Sequence, residues 1–365
     1  MVKIILSGGG TGGHIYPAVA VAQALTKSLG NEVEILFVGA EGKMESQTIP
    51  RLGYKIECLP IAGLQRSFSP KNLLLPFKIL RSLMQARKII KKFQPQVVAG
   101  FGGYASAPIV WAAQKAGVPT VIQEQNSYAG LTNKLIARRA KSICVAWPKM
   151  ERFFPKEKIV FTGNPLRSDF ALEEVNREEA LKHFGLNDEK NIILVVGGSL
   201  GTRTLNEMMK KWLKKVNGQA PVQVIWQTGK YYWEEMHAFW ESHPTQGIWH
   251  GAFIQRMDYA YAAASVVISR SGACSVSELC LAGKATIFVP SPNVAEDHQT
   301  KNAMSLVEKD AALMVADAEA PAKAIDLAIE IAGDRAKKES LENHIQDFAT
   351  PHSAADVAKE IIKYC

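Results

Sequence analysis

The sequence predicts an α/β protein built from two Rossmann-like domains whose parallel sheets face a cleft. Three observations predict it. Short apolar runs rich in β-branched residues alternate with helical patterns along the whole chain, as in parallel sheets covered by helices. Glycine-rich turns follow a strand-like run in each half, at residues 7–14 and 197–203. A length of 365 residues suits two domains of ordinary size.

In the first half the runs place strands near 3–7, 33–38, 55–59, 96–100, 119–123, 142–146 and 158–162. In the second half they fall near 191–196, 222–227, 247–250, 265–269, 285–289 and 312–315. The halves meet around residues 162–167, which sets domains at 1–163 and 164–350. The remaining 351–365 carries a helical pattern with no strand after it, and it is expected to pack back on the first domain.

The 47% hydrophobic and 21% charged content is that of a soluble globular protein. No basic-then-apolar leader opens the chain, and no apolar run is long enough to span a bilayer. Cys58, Cys144, Cys274, Cys280 and Cys365 show no paired or metal-like spacing and read as reduced thiols of a cytoplasmic protein. Charge is uneven. Residues 1–163 hold 22 Lys and Arg against 8 Asp and Glu, a net +14, and the rest of the chain is −6. The basic half is expected to face something anionic, nucleic acid or membrane.

The turn after strand 1 reads GGGTGGH, residues 8–14, with a helix expected from about Ile15. Gly8, Gly10 and Gly13 fit G-x-G-x-x-G, yet strand 2 ends in Val38-Gly39 and offers no acid to a ribose. A bare turn beside the titratable His14 suits a bulky polar group with a base at hand. The plain alternative is a tight turn with a surface histidine. Leu73, Leu74, Leu75, Phe77 and Ile79 are dense in apolar character and flanked by Lys71, Lys78, Arg81, Arg87 and Lys88. The segment reads either as an interfacial membrane contact or as an amphipathic helix packed on its own domain. It lacks interleaved aromatics, which disfavours single-stranded nucleic acid. A second glycine turn, FGGY at 101–104, follows a strand. Gln123, Glu124, Gln125 and Asn126 then stand at the expected cleft edge, more polar residues than one loop requires.

In the second half Ser199, inside GGSLGTR (197–203), can cap a helix or touch a phosphate. Ile254, inside FIQRM (253–257), reads as core and could offer its backbone to a flat base. Strand 265–269 leads into a bare loop at 270–275. Ser275 is then expected as the N-cap of a helix with Glu278 on its first turn. Such a helix start suits an anion, and Glu278 can accept two hydrogen bonds from a ribose diol. The plain alternative is a capped helix after a buried strand. Gln299, in EDHQTKNA (296–303), reads on its own as a surface residue. No D-x-D pair is present to bridge a metal to a diphosphate, so neither metal nor cofactor is expected.

Together GGGTGGH, FGGY, EQN, TGNPLR, GGSLGTR, FIQRM, RSGACSVSE and EDHQTKNA fall in an order and spacing that resembles the UDP-N-acetylglucosamine:lipid I N-acetylglucosaminyltransferases of peptidoglycan synthesis. The resemblance covers nearly the whole chain. It implies a GT-B glycosyltransferase that moves N-acetylglucosamine from UDP to the muramyl 4-hydroxyl of lipid I with inversion, giving lipid II. It implies a peripheral protein at the cytoplasmic face of the bacterial inner membrane, with anionic lipids and cell-wall assembly proteins as partners and no nucleic acid. By motif, Ile254 would contact uracil through its backbone and Glu278 the ribose. Ser199 and the loop leading through Ala273, Cys274, Ser275, Val276 and Ser277 would hold the diphosphate, with Arg167 nearby. Gln299 would read the sugar hydroxyls. Thr11, Gly12, Gly13 and Asn126 would close on the donor from the first domain. His14 would be the general base, with Glu124 as second choice. The membrane contact would be Leu73, Leu74, Leu75, Phe77, Lys78 and Arg81. Two departures from the family stand out. Gln123 stands where histidine is common, so it cannot be a base, and Gln255 and Arg256 replace two acids. A relative with another acceptor, such as a diacylglycerol glycosyltransferase or a UDP-sugar epimerase, and a non-catalytic nucleotide-sugar binder stay open.

Overall fold

The computed structural model describes residues 1–61, 75–166 and 175–365. The chain divides into two units, Met1–Ser168 with Thr350–Cys365, and Asp169–Ala349. Within the first unit, Ser353 Oγ donates to Asn164 O at 2.8 Å.

The first unit is a seven-stranded parallel sheet. Its strands are β1 (Val2–Ser7), β2 (Val33–Ala40), β3 (Lys55–Leu59), β4 (Val97–Gly100), β5 (Thr120–Glu124), β6 (Ser142–Val145) and β7 (Ile159–Phe161), in the order β3-β2-β1-β4-β5-β6-β7. The second is a six-stranded parallel sheet of β8 (Ile192–Val196), β9 (Gln223–Gln227), β10 (Ile248–Gly251), β11 (Val266–Ser269), β12 (Thr286–Phe288) and β13 (Leu313–Met314), ordered β10-β9-β8-β11-β12-β13. Helices cover both faces, so the central strands are near-continuous apolar runs; Ile192 to Val195 in β8 are wholly buried.

In each sheet the strand order reverses beside the first strand of the unit, between β1 and β4 and between β8 and β11. Ligand crevices of doubly wound sheets lie past the carboxyl ends of the strands at such a reversal. The turns after β1 and β4 therefore lie side by side, and Phe101 N–H donates to Ser7 O at 2.7 Å. The turns after β8 and β11 are paired in the same way, with Arg270 N–H directed at Val196 O at 3.4 Å.

The last helix, Ser353–Ile362, returns to the first sheet. Val357 and Ile361 join Ile15, Val19 and Leu25 of the helix Gly12–Leu29 in one core. Ser142 Oγ donates to Glu360 Oε1 at 2.5 Å and lies 2.6 Å from Tyr364 Oη.

Two helix starts differ from expectation. The first helix begins at Gly12, not near Ile15, because extended Thr11 turns its carbonyl to the N–H groups of His14 and Ile15. Two glycines of low helix propensity hide that start in the sequence. The helix after β11 is Ala273–Ala282 with Gly272 at its N-cap. Ser275 is thus on the first turn, not the cap, and Glu278 lies on the second turn. Among the described residues no helix is long and apolar enough to cross a membrane.

Candidate active site

In the first unit the turn after β1 delivers His14 to the turn after β4. His14 Nδ1 lies 3.0 Å from Gly9 O and 3.2 Å from Thr11 Oγ1. A carbonyl only accepts, so the contact requires the proton on Nδ1, and Nε2 is the acceptor nitrogen of the neutral ring. Gly102 and Gly103, both at positive φ, let the ring lie against the backbone. A Cβ on Gly102 would stand 3.1 Å from the ring carbon Cδ2, and one on Gly103 would stand 2.3 Å from Gly9 O. The Nδ1 contacts thus fix the tautomer and orientation of the ring.

The EQN run is less exposed than expected. Gln123 and Glu124 belong to β5, and both are 1% exposed, as is Gln125. Glu124 Oε1 accepts from the backbone and side-chain N–H groups of Asn126, and Oε2 accepts from Gly130 N–H and Asn133 Nδ2. Four hydrogen bonds organise the 124–133 loop around this carboxylate. Gln125 Nε2 donates to Phe101 O at 2.8 Å and so joins this loop to the glycine turn. Of the run, Asn126 alone is partly exposed.

In the second unit Gly201 and Gly229 pack back to back, both at positive φ, where a Cβ on Gly229 would lie 2.0 Å from Gly201 Cα. Thr202 Oγ1 closes the turn on Gly197 O at 2.9 Å, and Ser199 stands exposed at its tip. The helix Ala273–Ala282 points its first turn, with Ala273, Cys274 and Ser275, past the end of β11. First-turn N–H groups lack intrahelical acceptors. The side chain of Val276 is wholly buried and its N–H already donates to Gly272 O, and Ser277 Oγ donates to Ala273 O. Buried Arg270 donates to Val289 O at 2.7 Å and pairs with Asp317 at 2.6 Å, tying the turn after β11 to the one after β12. Burial pulls its guanidinium below the ordinary arginine value, and Asp317 opposes that.

Ile254 is buried, and its N–H donates to Gln227 Oε1 at 3.2 Å. Gln299 accepts Ser291 N–H on Oε1 and Ser271 Oγ–H on its carbonyl, both at 2.8 Å. Exposed Arg256 pairs with Asp258 and lies over the Tyr259 ring. Arg167, Leu73 and Leu74 lie outside the described residues.

Sequence reasoning passed over Gln227 and Tyr261. Buried Tyr261 donates its Oη–H to Glu278 Oε2 at 3.2 Å. Burial and the neighbouring Glu278 push the phenol well above its ordinary value, so it stays a donor. No local pattern marks either residue.

The helix Leu75–Phe93 has two characters. Ala86, Ile89 and Ile90 are core, whereas Phe77 is 73% exposed and Leu80 57%, beside exposed Ile79, Met84, Lys78 and Arg81. Among the described residues no group of three or more His, Cys, Asp or Glu side chains is placed to hold a metal ion.

Comparison with known proteins agrees with this architecture. Residues 4–145 match the glycosyltransferase family 28 N-terminal domain, and residues 192–361 match its C-terminal domain. The UDP-N-acetylglucosamine--N-acetylmuramyl-(pentapeptide) pyrophosphoryl-undecaprenol N-acetylglucosamine transferase of Parabacteroides distasonis is 51% identical over 361 residues, covering 99% of this chain and 98% of its own. The crystal structure of Acinetobacter baumannii MurG matches with a TM-score of 0.79 at 31% identity, over 100% of both chains. A UDP-GlcNAc 2-epimerase from Neisseria meningitidis, at TM-score 0.68 and 12% identity over 99% of this chain and 100% of its own, shares the fold alone. With both of its domains matched and a relative of half-identical sequence along its whole length, this chain belongs to glycosyltransferase family 28.

Proposed function

We propose that the protein transfers N-acetylglucosamine from UDP to the MurNAc 4-hydroxyl of lipid I, with inversion at the anomeric carbon, giving lipid II. The observation that carries the reading is the His14 imidazole, its tautomer set by Gly9 O so that Nε2 takes the proton of the attacking hydroxyl. Donor and acceptor classes follow the name of the P. distasonis relative.

One direct displacement needs a base at the incoming oxygen and a place for charge on the departing UDP. His14 supplies the first. Glu124 is the loop organiser rather than the base, since four hydrogen bonds already hold its carboxylate. For the second, the helix Ala273–Ala282 and the turn carrying Ser199 offer N–H groups and a positive helix end to the diphosphate. Glu278, aimed by Tyr261, takes the ribose diol. The Ile254 carbonyl accepts from the uracil ring N–H. Gln299 uses its amide N–H groups on the sugar, since its side-chain oxygen is held by Ser291. The protein acts as a peripheral enzyme on the cytoplasmic leaflet. The exposed Phe77 and Leu80 enter the lipid, and Lys78 and Arg81 meet anionic headgroups.

The test is transfer of labelled N-acetylglucosamine from UDP to a short-chain lipid I analogue, with diacylglycerol as a parallel acceptor. Product from lipid I alone is the expected result. Product from diacylglycerol alone, or UDP binding with no product from either, overturns the reading.

A further inference from the structure

Glu45 opens the helix Met44–Arg51 and is 1% exposed. A buried carboxylate needs strong hydrogen bonds, and two backbone groups provide them. Oε1 accepts Ala40 N–H at 3.0 Å, and Oε2 accepts Gly10 N–H at 3.1 Å. Two glycines make room for it. A Cβ on Gly9 would lie 2.1 Å from Oε1, and one on Gly39 would lie 2.5 Å from Cγ. The carboxylate therefore sits inside the first glycine turn, on an N–H of the kind that holds phosphate in dinucleotide-binding loops.

The N–H of Gly10 and the C=O of Gly9 belong to one planar peptide. Glu45 Oε2 holds its N–H end, and His14 Nδ1 donates to its C=O end. The order is carboxylate, peptide, imidazole. Hydrogen bonds in such a chain polarise one another, so a carboxylate on the N–H makes the carbonyl a stronger acceptor. An acid in direct contact with a catalytic imidazole sets its tautomer and stabilises the imidazolium that forms. Here a peptide stands between the two.

We propose that Glu45 is a positioning residue for His14, acting through the Gly9–Gly10 peptide to hold the ring in its Nδ1–H tautomer and to support its positive charge when Nε2 takes a proton. The effect on rate rests on the reading of His14 as base; the effect on the ring does not.

The test uses the full chain as wild type, E45Q, E45D and H14A. Two readouts are taken: steady-state kinetics per mole of folded protein, and the tautomer of the His14 ring from its imidazole nitrogen NMR signals. In E45Q an amide NH2 must face one of two N–H donors, so one hydrogen bond is lost and the charge is gone. The expected result is a kcat lower by roughly 10- to 100-fold at unchanged donor KM, with the His14 signals moving from one tautomer to a mixture. E45D keeps charge and both acceptors one methylene back, and it recovers part of both losses. Wild-type kcat and tautomer in E45Q overturn the proposal, and so does a lost kcat with the tautomer unchanged, which is what a strut without influence on the ring would give. Should E45Q not fold, E45A takes its place, and a wild-type tautomer there overturns the proposal equally. If H14A keeps its kcat, the reading of His14 as base falls, and the ring signals still decide whether Glu45 controls the imidazole.

Discussion

His14, Glu278 and Glu124 show how differently three polar residues chosen from one sequence are used. His14 faces a carbonyl on one nitrogen and keeps the other as acceptor. His14→Ala is expected to lower kcat by about 10²- to 10⁴-fold, the ordinary worth of a positioned base, while calorimetry shows unchanged UDP-GlcNAc affinity. Equal losses in both would make it a binding residue. Glu278 accepts a hydrogen bond from the phenol of Tyr261, which is buried. Tyr261→Phe removes one hydrogen bond to a charged group, about 1.5–3 kcal/mol, and is expected to raise donor KM by roughly tenfold with kcat little changed. Glu278→Ala raises it further. An unchanged KM in both would separate this pair from the ribose. Glu124 was legible as important from the density of polar residues at 123–126. Its use was not, because its partners Gly130 and Asn133 come from the following turn and helix.

At the scale of elements, the predicted strand positions lie within a residue or two of β1 to β13, since a strand buried on both faces writes its apolar run directly into the sequence. Helix starts were less legible, as Gly12 and Gly272 show: a glycine at a helix start gives no propensity signal. The helix Leu75–Phe93 has two parts. Its later turns are core and its first described turns are an exposed apolar face with cations. Phe77→Ser with Leu80→Ser is expected to weaken binding to anionic liposomes in flotation assays and to leave Tm unchanged, because neither side chain is buried. A large fall in Tm would show that the face packs on the protein instead.

At the scale of the whole molecule, two consequences follow from charge and chain connection. The first half carries the cationic excess, so liposome binding is expected to fall steeply as ionic strength rises, by screening. Salt-insensitive binding would assign the contact to apolar residues alone. The second consequence is pH-dependent. The chain closes on the first unit through Glu360. Burial raises its carboxyl, but hydrogen bonds from Lys363 and Ser142 outweigh that and hold it below the usual carboxylate range. A depressed folded value adds stability above the unfolded carboxylate pKa, and that stability is lost as pH falls through the folded one. Wild type is therefore expected to lose stability below about pH 4 more than Glu360→Gln does, read from denaturant midpoints across pH. Parallel curves would show that the Glu360 bonds add nothing.

By itself the sequence determined the α/β class, two parallel sheets, the glycine turns that follow their strands and a resemblance that the family match bears out. These rest on local regularities: apolar period, glycine where a chain must bend tightly, motif spacing. Only the tertiary structure decided which group each polar atom meets. Gly10 N–H meets Glu45 across 35 residues, Ile254 N–H meets Gln227 across 27, and Glu278 meets Tyr261 across 17. The physical reason is that a hydrogen bond is satisfied by whichever partner the packed sheets bring within about 3 Å, and no local pattern in the chain records that choice.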